Sequence, residues 1–441
     1  MKKINSNQQL VTIFLFAISL LINNNRVIAQ DQAAALAEAA KRHVVELADD
    51  KYEGRGAGYP GEKKAADYIA EQFKKAGLKP AGDQKGKKRG YFQEFDFQVM
   101  HPVKPWETRQ SRNVIGLVEG DDPVLKNEFV VIGAHYDGQG RKDQADPMRF
   151  ISKNDDPNDE IWNSANDNIA SVAIIIELAN VIKEGNVKPK RSILFIAFGA
   201  EEPGMSGSIW YINHPSFPLK EHVAMINLEK LGRGTGKPFN TVGNANSPVW
   251  DEMMKTIQAQ TSTKVVTTNP YVVPESDHYP FAAAKTPAIM FYTSGIAAHN
   301  PDDHSDKIDF NRLIEAGRFV MQMLKELVDR PVRPQFVPAP FPDLGLSVYL
   351  ARDAEADAMG LKTPDSGLKV TGVIAGLPGA IAGLQPGDFI IEFANAKFTR
   401  GQSLESLQKM HMDVLMGKQG NKLKTVVIRN GKTEVLELNL R

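Results

Sequence analysis

The 441-residue chain contains no cysteine. Disulfides are therefore excluded, and any bound metal must be held by nitrogen and oxygen donors alone. Charge of one sign is also missing: 53 Lys and Arg stand against 53 Asp and Glu. Lys2, Lys3 and Arg26 are the only charged residues before position 30, so 30–441 carries 50 basic and 53 acidic side chains. That slight negative excess excludes the broad basic surface that nucleic acid requires. Past the N-terminus, no stretch reads as a membrane span.

What is present starts with an export signal. Lys2 and Lys3 precede an apolar run, Leu10 to Ile22, and Val27-Ile28-Ala29 supplies small residues before Gln30. The reading is a signal peptide over 1–29 and a periplasmic or extracellular mature protein. The run is short for a membrane anchor, the competing reading. A length of 441 residues allows two to three domains and a sizeable core.

Helical periodicity covers Ala33 to Asp49, and Pro60-Gly61-Glu62 opens a second helix that Gly77 and Pro80 close. Tyr91 to Met100 alternates like an edge strand. Asn113 to Val118, Phe129 to Gly133, Ile193 to Phe198, Val223 to Leu228 and Ala288 to Tyr292 read as strands. Asn168 to Ile182, Ser206 to Ile212 and Phe310 to Val328 read as helices. The alternation predicts an α/β domain over 30–330, a mixed, mostly parallel sheet flanked by helices. Ligands of such sheets bind beyond the carboxyl ends of the strands. Five prolines between Pro331 and Pro342 mark a stiff linker over 331–340, and 341–441 reads as a small α+β domain.

Chemistry-bearing residues cluster at those strand ends. His135 and Asp137 are two apart, so in extended chain they share a face and the carboxylate can orient the imidazole. Asp167, before a helix, is an N-cap or a carboxylate shared by two cations. Glu201 and Glu202 end a buried strand, where adjacent acids repel unless a cation is present. Glu202 suits a ligand and Glu201 a general base. Glu229 ends another apolar strand. His299, His304 and His278 compete for a last ligand place. His43, His101, His214 and His222 read as structural or surface residues. Two imidazoles, His135 and one of His299, His304 and His278, with the carboxylates Asp167, Glu202 and Glu229, make the donor set that two neighbouring Zn2+ ions require.

These residues stand in motifs that resemble a family. They are Glu53-Gly54-Arg55, Ala76-Gly77-Leu78-Lys79-Pro80, Gly133-Ala134-His135-Tyr136-Asp137, Ala165-Asn166-Asp167-Asn168, Phe198-Gly199-Ala200-Glu201-Glu202, Asn227-Leu228-Glu229-Lys230-Leu231-Gly232, Ser276-Asp277-His278 and His299-Asn300-Pro301-Asp302-Asp303. In this order they resemble the co-catalytic zinc exopeptidases: secreted bacterial aminopeptidases, with glutamate carboxypeptidase and transferrin receptor as distant relatives. The resemblance implies that His135 and Glu229 hold one zinc and Glu202 and His299 the other. Asp167 would bridge, Glu201 would be the base, and a cis peptide bond would follow Asp167. Glu229 stands where the family usually has aspartate, and Ala298 where it commonly has tyrosine.

The expected activity is removal of N-terminal residues from peptides. Carboxypeptidase or dipeptidase action is an alternative, with Lys230 and Arg233 available for a substrate carboxylate. Tyr292 and Tyr279 are candidates to steady an oxyanion. Cyclisation of N-terminal glutamine fits less well, since His135 is present. A non-catalytic peptide-binding protein is the reading from another class. The tail resembles a PDZ domain of the bacterial protease-associated type, with Leu344-Gly345-Leu346 as its carboxylate loop, the helix Ser403 to Leu415 as its groove wall, and a peptide C-terminus as its partner.

Overall fold

Apolar runs become the strands of a nine-stranded sheet: β1 (Lys79–Pro80), β2 (Phe92–His101), β3 (Lys104–Val118), β4 (Phe129–His135), β5 (Ser192–Phe198), β6 (His222–Glu229), β7 (Phe239–Val242), β8 (Val265–Asn269) and β9 (Ala288–Tyr292). The computed structural model describes residues 36–101, 104–144, 158–185, 188–295, 299–402, 413 and 420–440. The expected signal peptide, 1–29, and nearly all of the expected helix Ser403 to Leu415 lie outside them.

The strand order is β1-β3-β5-β4-β6-β9-β7-β8, with β2 paired to β3. The sheet is mixed. Its centre, β5-β4-β6-β9, is parallel. The long β2–β3 hairpin runs antiparallel to β5, and β7 antiparallel to β9. Every residue of β4, β5 and β6 is buried. Both faces of these strands are covered, which is why they read as continuous apolar runs rather than alternating ones.

Seven helices flank the sheet among the described residues: α1 (36–47), α2 (Pro60–Lys75), α3 (Ala170–Glu184), α4 (Ser206–Asn213), α5 (Pro248–Gln260), α6 (His278–Ala283) and α7 (Phe310–Asp329). Pro60 starts α2 at a position whose amide has no helical partner, and Gly77 (φ 74°) takes the left-handed turn beyond its end. The Asp309 carboxylate caps α7 by accepting the Asn311 and Arg312 amides at 3.0 and 3.2 Å. Residues from α1, α2, α3, α5 and α7 form the main core on one face, and α4 and α6 pack on the other. The segment Ala165–Glu184 is long and apolar enough to cross a membrane, contrary to the expectation that nothing past the N-terminus is. Its apolar character serves burial: α3 lies inside the core.

After α7 the chain runs without regular structure, tied to the sheet domain by the Val337 amide on the Asn246 carbonyl (2.8 Å). A second sheet follows, with β10 (Leu346–Leu350), β11 (Leu368–Val373), β12 (Phe389–Phe393), β13 (Ala396–Lys397), β14 (Lys422–Arg429) and β15 (Lys432–Asn439) in the order β10-β11-β12-β14-β15. It has a separate apolar core around Val370, Ile390, Phe398 and Val427.

His222 opens β6 fully buried, its ring bonded to the Tyr211 hydroxyl (2.7 Å) and the Pro218 carbonyl (3.1 Å). Burial, with Arg333 nearby, pushes its pKa down to about 4. The unfolded chain therefore takes up this proton first as pH falls. The contribution is complete above about 6.5 and is lost through about 4, a loss of about 3 kcal/mol. Denaturant unfolding midpoints should rise with pH between 4 and 6.5, and His222→Gln should flatten that part of the profile.

Candidate metal centre

His135 is the last residue of β4 and Glu229 the last of β6. Glu201 and Glu202 lie just past β5, and His299 in the loop past β9. Asp167 comes from the other direction, in a short turn, Ala165–Ile169, that feeds α3. Because β5, β4, β6 and β9 are parallel neighbours, all four carboxyl ends open on one edge of the sheet. The peptide bond between Asp167 and Asn168 is cis. Ser164, Ala200, Lys230 and His299 all have φ between 47° and 56°. Left-handed backbone is costly for residues with a side chain, and here it recurs where the chain must turn a donor inward.

Two triads result. His135, Asp167 and Glu229 form one, and Asp167, Glu202 and His299 the other. His135 Nε2 lies 3.3 Å from Asp167 Oδ1 and 3.6 Å from Glu229 Oε1. His299 Nε2 lies 3.0 Å from Glu202 Oε2 and 3.7 Å from Asp167 Oδ2. Asp167 thus turns one oxygen to each triad. Tetrahedral ligands about 2.0–2.1 Å from zinc stand roughly 3.3 Å apart, so both triads have the right size. The buried Glu202 Oε1 has no hydrogen-bond partner, as expected of an atom awaiting a cation.

The charge balance points the same way. Burial and the carboxylates Asp277, Glu229 and Glu202 drive Glu201 well above the usual carboxylate range, against the pull of His135. Burial works against a charged His135, yet Glu229 and Glu201 raise its pKa well above normal. Burial opposes ionised Asp167, yet Lys230, His135 and His299 hold its pKa below normal. Asp277 is pushed to about 8, chiefly by burial. Negative charge is in excess, and divalent cations would neutralise it.

The supporting residues differ in part from expectation. Asp137 does more than orient His135: its oxygens also accept the Glu201 and Glu202 amides, both at 3.0 Å. His135 Nδ1 lies 3.2 Å from the Asp137 carbonyl and 3.5 Å from its carboxylate. One residue thereby positions both the imidazole and the acid pair. His304 lies away from the triads, on Asp159 at 3.0 Å, and His278 is buried without a ring partner. Tyr279 donates to Asp343 at 2.6 Å and Tyr292 pairs with Thr268 at 2.9 Å.

Sequence reading assigned no role to several supports. Glu62 reads as an ordinary first-turn acid of a helix. It is buried instead, accepting the Ser111 hydroxyl (2.6 Å) and the Gly58 and Ala200 amides (2.6 and 3.2 Å). Burial and the Asp137 charge push its pKa up to about 8. Ser276 donates to Glu229 at 2.6 Å. Arg55, fully buried, donates to the carbonyls of Leu47, Tyr136 and Ser164 and so ties the turn before the site to the loop before Asp167.

A mixed α/β sheet with paired triads at its carboxyl edge defines the architecture of the metallo-exopeptidase hydrolases. Residues 113–324 match the family model described as Peptidase family M28. Aminopeptidase YwaD of Bacillus subtilis is 26% identical over 250 residues, 53% of this chain and 49% of that protein. The alkaline phosphatase isozyme conversion protein of Escherichia coli is 26% identical over 206 residues, 46% of this chain and 53% of that one. The chain thus spans about half the length of these curated relatives. A zinc aminopeptidase structure from Bacillus subtilis superposes with a TM-score of 0.50 at 19% identity, covering 67% of this chain and 95% of that one. At that identity the likeness shows the fold.

Asp303 holds the loop before Asp167, its carboxylate accepting the Asn166 and Asp167 amides at 3.0 Å. Asp303→Ala should weaken Zn2+ binding about 10–100-fold, measured by competition with a chelating dye, with circular dichroism unchanged.

Proposed function

We propose that this protein is a secreted, two-zinc aminopeptidase acting in the periplasm or outside the cell. The observation that carries the reading is Asp167, which takes part in both triads with a different oxygen in each. His135 and Glu229 would hold one ion, Glu202 and His299 the other, and Asp167 both. Bound zinc would acidify water toward a pKa of roughly 7 and polarise the peptide carbonyl. Glu201 lies 3.9 Å from His135 Nε2 and is the acid left over from the donor set. It takes the proton from the attacking water and returns it to the leaving amine. Asp137 fixes Glu201 and Glu202 through their backbone amides.

The end of the substrate follows from charge. Lys230 Nζ lies 3.8 Å from Glu229, and Arg233 lies 3.8 Å from Asp303. Both cations face the protein's own carboxylates. The surplus acids, Asp277 and Glu275 among them, suit a substrate ammonium better than a carboxylate. Aminopeptidase action is therefore favoured over carboxypeptidase action. The C-terminal sheet domain is read as PDZ-like. In its Leu344-Gly345-Leu346 loop the Gly345 amide donates to Asp343 at 2.8 Å, so a peptide carboxylate would have to displace that contact.

Glu201→Gln should lower turnover of aminoacyl nitroanilides at least about 10³-fold while two zinc ions per chain are retained by elemental analysis. N-acetylation of a peptide substrate should abolish cleavage. Turnover that persists in the variant would remove Glu201 from the base role. Equal cleavage of acetylated peptides would remove the aminopeptidase reading.

A further inference from the structure

The C-terminal sheet stands against the metal centre. Gly204 closes the turn that carries Glu201 and Glu202, and a Cβ there would meet Thr371 Oγ1 of β11 at 2.2 Å and Ser347 Oγ of β10 at 3.0 Å. The contact is extensive and specific. The Asn213 side chain, at the end of α4, donates to the Val373 carbonyl and accepts the Ala375 amide, each at 2.9 Å. Ile374 is buried in the apolar cluster that contains Ile209 and Ile212 of α4. The Tyr279 hydroxyl donates across to Asp343.

Tyr349 is two residues beyond Ser347 on β10, past a register shift between Ser347 and Val348. Ser347 faces the Glu201–Gly204 turn, and the Tyr349 phenol oxygen accepts a hydrogen bond from the Ser347 side chain, which leaves its O–H to donate. The acids that act on the Tyr349 phenol are Glu201, Glu202 and Asp277, three residues of the metal centre. Burial first, then those carboxylates, raise its pKa above the usual phenol range. The two tyrosines that sequence offered for this task, Tyr279 and Tyr292, are engaged with Asp343 and Thr268.

We propose that the C-terminal domain completes the active site, and that the Tyr349 hydroxyl donates a hydrogen bond to the carbonyl oxygen of the scissile peptide bond. This rests on the hydrolase reading above. As the water oxygen bonds to the carbonyl carbon, the C=O π electrons move onto oxygen, and the phenol O–H steadies that charge. When the C–N bond breaks, the carbonyl re-forms and the hydrogen bond relaxes, while Glu201 supplies the amine with its proton. The phenol keeps its own proton throughout. The role requires both domains in one chain, since Tyr349 lies outside the matched family segment, 113–324.

The test compares wild type, Tyr349→Phe and Tyr292→Phe in the full chain. Tyr349→Phe should lower kcat about 10²–10³-fold with KM within threefold, and Tyr292→Phe should leave both unchanged. A phosphinic dipeptide analogue, tetrahedral at the scissile position, should bind Tyr349→Phe about 100-fold more weakly by calorimetry, while the product amino acid binds equally to both. Zinc content and thermal midpoint should match wild type. Unchanged kcat, a loss confined to KM, or an equal loss of product binding would overturn the assignment. Wild-type turnover and its loss in Glu201→Gln report separately on the hydrolase reading, so failure of one is not mistaken for failure of the other.

Discussion

Gathering negative charge in a place that water barely reaches is the constraint on which this molecule turns. Six carboxylates, Asp137, Asp167, Glu201, Glu202, Glu229 and Asp277, are brought together with two imidazoles and one ammonium. In a low-dielectric setting that sum is strongly unfavourable without cations. The tension shows in the direction of each shift: burial and neighbouring acids push Glu201 and Asp277 above the usual carboxylate range, and the same acids raise His135 and Lys230 above theirs. Divalent cations held by the triads would relieve it.

The surrounding fold keeps these acids from moving apart. Parallel β4, β5 and β6 deliver their ends side by side, and the connecting turns take left-handed backbone at non-glycine positions to aim the donors inward. Behind the donors stands a layer of acceptors that are themselves carboxylates. Asp137 binds the amides of Glu201 and Glu202, Glu62 the amide of Ala200, and Asp303 the amides of Asn166 and Asp167. Each holds backbone at or beside a donor rather than the donor's side chain, leaving the donor's own oxygens for the metal. The C-terminal sheet then covers one side, with Ser347 and Thr371 against Gly204.

Much of this was legible in the sequence, and the illegible part has a pattern. The buried strands stood out because burial on both faces demands unbroken apolar runs, as in Ile193 to Phe198. The stretch holding β7, α5 and β8 yielded no reading: β8 is a largely exposed edge rich in Val and Thr, with no alternation to mark it. The β2–β3 hairpin is longer than expected because cross-strand pairing, not local composition, extends it through polar residues such as Glu107 and Thr108. Glu62 was invisible, and Ser276 stood in a matching motif without a role, because an acid or a serine in a first turn or a loop is common and only distant partners give it a task.

Sequence alone determined which atoms were available: nitrogen and oxygen donors without sulfur, acids and imidazoles at the ends of apolar strands, and a second module after a proline-rich stretch. Those are properties of residue type and local spacing. Tertiary structure decided the rest. It brought His299 to Glu202 and Asp167 and left His304 on Asp159, gave Asp167 an oxygen for each triad, added the amides of Glu201 and Glu202 to Asp137's place beside His135, and set Ser347 and Thr371 of the far module against Gly204. These are relations between residues separated by tens to hundreds of positions. Such distances depend on how sheets and helices pack, and no local pattern encodes them.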